Sequence, residues 1–180
     1  MNYFQFIVQD WKANKKNPRG RIIMLLFRMA NFCSTRRIYY WLGIPYLLFY
    51  RFLVEWIFGI EIPWNVRIGK NLTLYHGQAL VMNNRVVIGE NCTLRHCTTL
   101  GNKQLSDGSF SGSPVIGNQV DIGSNACVIG DIQIGNNVSI GCGAVVIRSV
   151  PDDHIAVGNP AVAKTKIKII PFNSSINTGT

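Results

Sequence analysis

Acidic residues are scarce in this 180-residue sequence, and they are scarcest at its beginning. Nine Asp and Glu residues stand against eighteen Lys and Arg, so the formal net charge is +9. Residues 1–60 hold two acids against nine bases, a net +7, whereas residues 61–180 hold seven against nine, a net +2. This uneven charge predicts an anionic partner for the N-terminal third. The 47% hydrophobic content excludes a disordered chain.

The sequence also lacks the marks of an exported or membrane-spanning protein. The first ten residues include Asp10 and no basic stretch, so we predict no signal peptide. The most apolar stretch, residues 38–60, is interrupted by Pro45, Arg51 and Glu55, and charged residues are costly at bilayer depth. The five cysteines form no CxxC motif, which favours reduced thiols. We therefore expect a cytoplasmic protein.

Aliphatic residues recur every sixth position through most of the chain. This spacing fits neither the 3.6-residue period of a helix nor the two-residue period of a half-buried strand. It is typical of a parallel β-helix with coils of about eighteen residues, whose handedness the spacing leaves open. One step of eight separates Leu80 from Ile88, and a longer gap follows Leu100. The thirteen positions are Ile62, Ile68, Leu74, Leu80, Ile88, Leu94, Leu100, Ile116, Ile122, Val128, Ile134, Ile140 and Val146.

The long gap in the repeat contains the sequence "GNKQLSDGSFSGSP". Its Gly, Ser and Asp content predicts a loop extruded from the β-helix over about residues 102–114. Long loops on a rigid scaffold usually carry function.

Two of the three histidines are separated by one coil. His76 and His96 each follow an aliphatic repeat position by two residues, and the 20-residue interval equals one coil plus the two extra residues. Neighbouring strands lie about 4.8 Å apart, so we expect the two side chains to stack on one edge beside the loop. The alternative is a pair of solvent-facing corner histidines without a function.

Residues 1–60 lack the six-residue period. "GRIIMLLFRMANFCS" and "IPYLLFYRFLVEWIFG" predict two amphipathic helices, with Gly43 and Pro45 as the break between them. One reading packs these helices on the β-helix or on a second subunit. The other places the aromatic residues 39–41, beside the arginines at 36–37, at an anionic membrane surface.

Several stretches resemble a known family. The hexapeptide run, "LYHGQALVMN", "VIGENCTLRHCTTLGN" and "VGNPA" resemble the serine acetyltransferase branch of the hexapeptide-repeat acyltransferases. "DWKANKKNPRGRIIMLLFRMANFCS" and "YRFLVEWIFGIEI" are most similar to the acetyltransferases of colanic acid and capsule biosynthesis. The resemblance covers roughly residues 8–165. It implies a left-handed β-helix, a homotrimer, and acetyl-CoA bound between neighbouring prisms.

The resemblance also implies a catalytic pair. The family's catalytic histidine falls on His76, and its acidic partner, fifteen residues earlier, falls on Glu61. An acceptor hydroxyl is a poor nucleophile until a base removes its proton, and a neutral imidazole is available for this at cytosolic pH. A carboxylate on the other ring nitrogen would fix the tautomer and stabilise the imidazolium.

The acceptor positions depart from the serine acetyltransferase pattern. Tyr75 stands where those enzymes have an aspartate, and Gly112 and Ser113 stand where they have an Arg-His pair that helps hold the serine carboxylate. A sugar hydroxyl needs neither group, so the resemblance points to a sugar acceptor. We take His96, Tyr75 and Ser113 as the acceptor-binding candidates.

The coenzyme contacts implied by the resemblance fall on Asn102, Ser124 and Cys142, at the coil edges that follow the pantetheine arm. Lys164, with Lys166 and Lys168, follows "VGNPA" and could meet the coenzyme's phosphates or form a solvated tail. We expect no metal, because a zinc carbonic anhydrase on this scaffold needs three converging histidines and only two share an edge here.

We thus predict a mainly β protein: a helical segment over 1–60, a β-helix acetyltransferase domain over 61–163 and a tail over 164–180. The expected function is acetyl transfer from acetyl-CoA to a sugar hydroxyl in capsular or exopolysaccharide biosynthesis. Acetylation of serine or another small molecule, and a non-catalytic solenoid scaffold, are the alternatives. The expected partners are two further copies of the chain, a carbohydrate acceptor that could be lipid-linked, and an anionic membrane face, with no nucleic acid.

Overall fold

The computed structural model describes residues 2–166. Four helical elements come first: α1 (Tyr3–Ile7), α2 (Pro18–Cys33), α3 (Arg37–Tyr50) and α4 (Arg51–Ile57), the last a π-helical continuation of α3. Asn17 caps α2 by accepting a hydrogen bond from the Gly20 amide, and Pro18 occupies the first helical position, where its missing N–H costs nothing. None of the helices within this range is long and apolar enough to cross a bilayer.

The predicted break between the two main helices was misplaced. It lies at residues 34–36, and Gly43 and Pro45 both lie inside α3. A Cβ atom on Gly43 would come within 2.9 Å of the Cys33 side chain, so glycine allows α2 and α3 to cross closely. Pro45 lies on the exposed side of α3, where the carbonyl that loses its partner can reach water.

The rest of the described chain is a parallel β-helix of three sheets, as predicted, and its hand is left. Sheet A contains β1 (Ile60–Glu61), β4 (Leu80–Met82), β7 (Thr99–Gly101), β10 (Cys127–Ile129) and β13 (Val145–Val146). Sheet B contains β2 (Arg67–Ile68), β5 (Val87–Ile88), β8 (Val115–Ile116) and β11 (Gln133–Ile134). Sheet C contains β3 (Thr73–Tyr75), β6 (Thr93–Arg95), β9 (Asp121–Ile122), β12 (Ser139–Ile140), β14 (His154–Val157) and the antiparallel β15 (Val162–Thr165).

The aliphatic repeat positions form the core of the prism. Twelve of the thirteen are buried, and Ile68 is partly buried against them. The corners use residues that tolerate the left-handed region: Asn71, Asn91, Asn125 and Asn137 all have φ between 53° and 61°. Each six-residue unit thus places an aliphatic residue inside, and turn residues occupy the corners between units.

The two extra residues lie earlier than predicted. The register pairs Leu94 with Leu74, but it pairs Leu100 with Met82. Met82, not Leu80, is therefore in phase, and the eight-residue step falls between Leu74 and Met82 rather than after Leu80. Since both Leu80 and Met82 are buried, the six-residue pattern alone could not distinguish them. The insertion thus widens the corner between sheets C and A, which contains His76.

The open end of the β-helix is covered by side chains of the N-terminal third. Arg28, buried in α2, pairs with buried Asp10 at 2.7 Å and donates to the carbonyls of Ile68 and Gly69. Asp10 in turn accepts a hydrogen bond from the Leu72 amide. Asn14 bonds to the backbone of Leu72 and Leu74. We call Asp10, Asn14 and Arg28 the N-terminal cap. The cap satisfies backbone groups that an additional coil would otherwise bind.

The extruded loop leaves the prism between β7 and β8, at the edge between sheets A and B. Its residues lie over the following coils of that edge, where Lys103 and Phe110 line a cleft with Ile129 and Asp131. Within one chain, the loop therefore does not lie beside the histidines, and our expectation was wrong. The histidines occupy the edge between sheets C and A, and sheet A separates the two edges.

Candidate active site

Four of the candidate residues form a single column on the edge between sheets C and A. The register aligns Leu74, Leu94, Ile122 and Ile140, so the residues two places later occupy equivalent positions on four successive coils. These residues, which we call the edge column, are His76, His96, Ser124 and Cys142. The rings of His76 and His96 lie with centroids 5.7 Å apart in an edge-to-face arrangement. The prediction that the two histidines meet on one edge is confirmed.

The corner that contains His76 has an unusual backbone. His76 has φ 66°, Gly77 φ 75° and Ala79 φ 53°, whereas on the next coil this conformation is adopted at Cys97 and not at His96. A non-glycine residue in this region is uncommon, and such residues cluster at functional sites. His76 is exposed at this corner, in a conformation that no other histidine of the described chain adopts.

A helix of the N-terminal third contacts this corner. With its amide oriented to suit its neighbours, Gln78 donates to the His76 carbonyl at 3.0 Å and accepts hydrogen bonds from the Arg19 guanidinium. Arg19 belongs to α2 and also lies over the ring of Phe58 at 5.7 Å. Sequence reasoning missed both Arg19 and Gln78, because nothing in the repeat relates residue 19 to residue 78.

The His96 side chain is partly buried and has one orphaned atom. Its Nδ1 is buried and has no hydrogen-bond partner among residues 2–166. A buried polar atom without a partner costs about 1–3 kcal/mol. Such atoms are typical of groups kept for function or of positions that a water completes. The Nδ1 atom of His96 is therefore free for a further polar partner, either a ligand or a water.

Glu61 lies on the exposed face of sheet A, and its register partner is Val81. Among residues 2–166, no hydrogen bond joins its carboxylate to His76, and the His76 imidazole accepts or donates none. Both side chains are exposed at the same end of the prism, in the first coil. The catalytic pair of Glu61 and His76 stays a prediction.

Ser113 lies at the base of the extruded loop, on the other edge of sheet A. It is 7% exposed, and its hydroxyl donates to the Asn83 side-chain oxygen at 3.1 Å. At Gly112 a Cβ atom would lie 2.7–3.0 Å from the carboxylate group of Asp131, so this position has no room for a longer side chain without a shift. A single chain does not bring Ser113 to His76.

The remaining coenzyme candidates lie in three places. The Ser124 hydroxyl donates to the Cys142 sulfur at 3.5 Å, and this hydrogen bond lowers the pKa of the exposed Cys142 thiol. Asn102 lies at the start of the loop, on the A–B edge. Lys164 is exposed on β15 opposite Ile155. Lys166 donates to Asn137, and Lys168 lies outside the described residues.

The third histidine does not join the edge column. The His154 Nδ1 atom contacts the Asp152 carbonyl oxygen at 2.7 Å, and its Nε2 lies 3.4 Å from the Thr165 hydroxyl. In the part of the chain that the structure describes, no group of three His, Cys, Asp or Glu side chains could hold a metal ion. The five cysteines are all free thiols.

The chain is similar along nearly its whole length to an Escherichia coli protein. WcaB of strain K12, provisionally named a colanic acid biosynthesis acetyltransferase, is 39% identical over 168 residues, which cover 91% of this chain and 99% of WcaB. The chain belongs to the WcaB-like hexapeptide-repeat acetyltransferases. The Helicobacter pylori serine acetyltransferase of strain 26695 is 37% identical over 79% of this chain and 80% of that protein. No family model matches the chain.

The solved structures that resemble this acetyltransferase support the same placement. The soybean serine acetyltransferase apoenzyme superposes with a TM-score of 0.75 at 29% identity, covering 90% of this chain and 69% of that one. The same enzyme complexed with serine gives a TM-score of 0.74 at 28% identity, with the same coverage. The fold that the sequence predicted by resemblance is thereby confirmed, and so is the acetyltransferase class.

The edge column brings two imidazoles, a hydroxyl and a thiol to one edge of this acetyltransferase. His76 is an exposed imidazole that can take a proton from an acceptor hydroxyl. His96 lies directly beside it. Ser124 and Cys142 extend the column for two further coils, about 4.8 Å each, along a straight edge that can hold an extended ligand.

Proposed function

We propose that this acetyltransferase transfers the acetyl group of acetyl-CoA to a hydroxyl of a carbohydrate in capsular or exopolysaccharide biosynthesis. The observation that carries the proposal is the similarity to WcaB, which spans 99% of that protein and so includes the N-terminal helices. The acceptor positions Tyr75, Gly112 and Ser113 agree with it, because they lack the groups that the serine acetyltransferase pattern uses for a serine carboxylate.

In this proposal His76 is the general base. Its imidazole removes the proton of the acceptor hydroxyl as the oxygen attacks the thioester carbonyl, and it returns that proton to the departing thiolate. Glu61 would stabilise the transient imidazolium. His96 positions the acceptor beside His76. A general base of this kind typically contributes about 10²–10⁴-fold to the rate.

The pantetheine arm of acetyl-CoA would run along the edge column past Ser124 and Cys142, with Asn102 contributed from a loop edge. Lys164, exposed on β15 near the far end of the prism, would meet the coenzyme's phosphates. The arm bonds mainly to backbone groups in such an arrangement, so the side chains at these positions need only leave room for it.

We further propose a homotrimer. The outward-facing residues at one register position of sheet A begin with Glu61. The residues that follow it on the next strands are uncharged: Val81, Thr99, Cys127 and Val145. The outward face of sheet C instead carries Arg95 and Asp121. An uncharged face suits contact with another prism. Packing three prisms edge to face would bring the loop at the A–B edge of one chain to His76 of a neighbouring chain. Light scattering should give three chains; a fully active monomer would contradict this.

A second acceptor, serine, is favoured by a specific observation, the 37% identity to the Helicobacter pylori serine acetyltransferase over 80% of that protein. The two acceptors are distinguished by following free thiol release from acetyl-CoA with serine, with neutral oligosaccharides and with phosphorylated sugars. Mass spectrometry of the acceptor should show an added acetyl group on the sugar. Acetylation of serine alone would overturn the proposal, and His76→Ala is the control for non-enzymatic hydrolysis.

We also propose peripheral contact with an anionic membrane through α3 and α4. Their exposed side bears apolar residues at intervals of three or four: Ile38, Trp41, Pro45, Leu48, Phe52 and Trp56. The one acid on these helices, Glu55, is paired with Arg51 at 3.0 Å, and arginines 36 and 37 begin α3. Aromatic and aliphatic residues beside uncompensated bases suit an anionic interface.

The membrane proposal is tested by co-sedimentation with phosphatidylglycerol vesicles. Trp41→Ser with Trp56→Ser should reduce binding at low salt, whereas Leu105→Ser, which removes an exposed apolar side chain from the loop, should not. Equal binding of all three proteins, or no binding by the unaltered protein, would contradict it.

A further inference from the structure

A cleft of about 240 Å³ lies beside the strand that leads to His76. It is lined by Ala13, Lys15, Lys16 and Asn17 from the N-terminal third and by Tyr75 from β3. Tyr75 directly precedes His76, so this cleft adjoins the proposed catalytic edge. No residue of the edge column lines this cleft.

The lysine side of the cleft is fixed against strand β3. Asn14, which is 1% exposed, donates to the Leu72 carbonyl at 2.8 Å and accepts from the Leu74 amide at 3.0 Å. Asn17 donates to the Leu74 carbonyl. These bonds flank Lys15 and Lys16 on both sides, so the backbone of the two lysines is held next to the strand instead of forming a free loop.

The positive charge of these lysines is uncompensated. Both are exposed, and neither side chain makes an ion pair or a hydrogen bond with another of residues 2–166. Both acids of the N-terminal third are already paired, Asp10 with Arg28 and Glu55 with Arg51. The two lysines that line the cleft are therefore free to pair with an anionic ligand that enters it.

The opposite wall suits a sugar. The Tyr75 ring is 41% exposed, and the Arg95 guanidinium lies 5.8 Å from its centroid. Arg95 is held by Asp121 and by the Ile122 carbonyl, so it adds little free charge beside the ring. An exposed tyrosine offers an apolar face and a polar tip, a surface that the faces of a sugar ring can cover.

The chemistry of the free cations is compatible with a phosphate. Arginine binds carboxylates and phosphates through two parallel hydrogen bonds, whereas lysine acts as a point charge and is also a common phosphate ligand. The unpaired cations here are both lysines. We propose that this cleft is an acceptor subsite that binds the phosphate of a phosphate- or diphosphate-linked sugar and so directs one hydroxyl of that sugar to His76. This inference rests on the proposed sugar acetylation and names the class of acceptor.

The binding test uses inorganic diphosphate as the probe. Calorimetric titration of the full-length protein, with CoA present at saturation, should show diphosphate binding that is at least about tenfold weaker in Lys15→Gln/Lys16→Gln. Lys12→Gln is the matched control, because Lys12 is an exposed lysine of the same segment that lines a different, apolar cleft with Trp11 and Phe4. Equal diphosphate affinity in all three proteins would overturn the proposal. Displacement of diphosphate by CoA would also overturn it, since the lysines would then serve the coenzyme.

The activity test compares acceptors that share a sugar. The double lysine variant should lose kcat/KM about tenfold or more with a nucleoside diphosphate sugar or a lipid diphosphate sugar, and should be unchanged with the same sugar lacking phosphate. The better of the two phosphorylated acceptors identifies the source of the phosphate. Equal loss on all acceptors would overturn the subsite while leaving sugar acetylation standing. Diphosphate binding by the lysines without any sugar acetylation would instead overturn the proposed function and leave the subsite standing.

Discussion

The N-terminal cap is where a single substitution should cost the most stability. Replacing Arg28 with Met keeps much of the side-chain length but removes its donors to Asp10, at 2.7 and 3.3 Å, and to the carbonyls of Ile68 and Gly69, at 2.7 and 2.6 Å. Asp10, 2% exposed, would remain buried without its countercharge. Breaking such a pair typically costs about 3–5 kcal/mol, a large share of a total of about 5–15 kcal/mol.

Urea unfolding followed by circular dichroism, at one protein concentration, measures this loss. The control is Arg51→Met, which breaks an exposed pair worth about 0–1 kcal/mol. Adding Asp10→Asn to Arg28→Met should cost less than the sum of the two single changes, because the double variant leaves no buried charge. If Arg28→Met destabilised the protein no more than Arg51→Met, the cap would not be holding the β-helix closed as described.

Three further outcomes are expected. His76→Ala should lower acetyl transfer by about 10²–10⁴-fold without changing CoA affinity, and His96→Ala should mainly raise the acceptor KM; near-normal turnover of the His76 variant would contradict its role as base. The pKa of Cys142 is lowered, whereas burial raises the pKa of Cys33, so a larger fraction of Cys142 is thiolate at pH 7.5. Iodoacetamide at that pH should therefore label Cys142 before Cys33, as measured by mass spectrometry. Ala79→Gly should raise the melting temperature, since the left-handed φ of 53° costs alanine about 1 kcal/mol; a lower value would show that the corner is not strained.

Most of the fold could be predicted because one periodic rule repeats through it. Each six-residue unit needs one inward aliphatic residue and three units make a coil, so the repeat and the meeting of His76 and His96 follow from spacing alone. The phase error at Leu80 arose where two buried residues, Leu80 and Met82, both satisfy that rule, and only the hydrogen-bond register separates them. A periodic pattern thus locates coils well and locates insertions poorly.

The features that sequence reasoning missed all depend on contacts between distant segments. The Arg19 contact with Gln78 and the cap formed by Asp10 and Arg28 join the helical third to the first coil. The cleft between Lys15 and Tyr75 arises in the same way. From the sequence, Lys15 and Lys16 contribute only to the net charge of the N-terminal third, because no local pattern predicts which strand a charged turn will contact.

The N-terminal cap also limits how copies of this protein can associate. A β-helix ends in rows of unpaired backbone groups that can template another chain's strand, so two prisms could in principle join end to end into a fibre. Asp10, Asn14 and Arg28 occupy those groups at the first coil. A chain cut before residue 60 would therefore be expected to polymerise instead of forming a smaller enzyme, and the boundary between the helices and the β-helix is not a place where the protein can be divided.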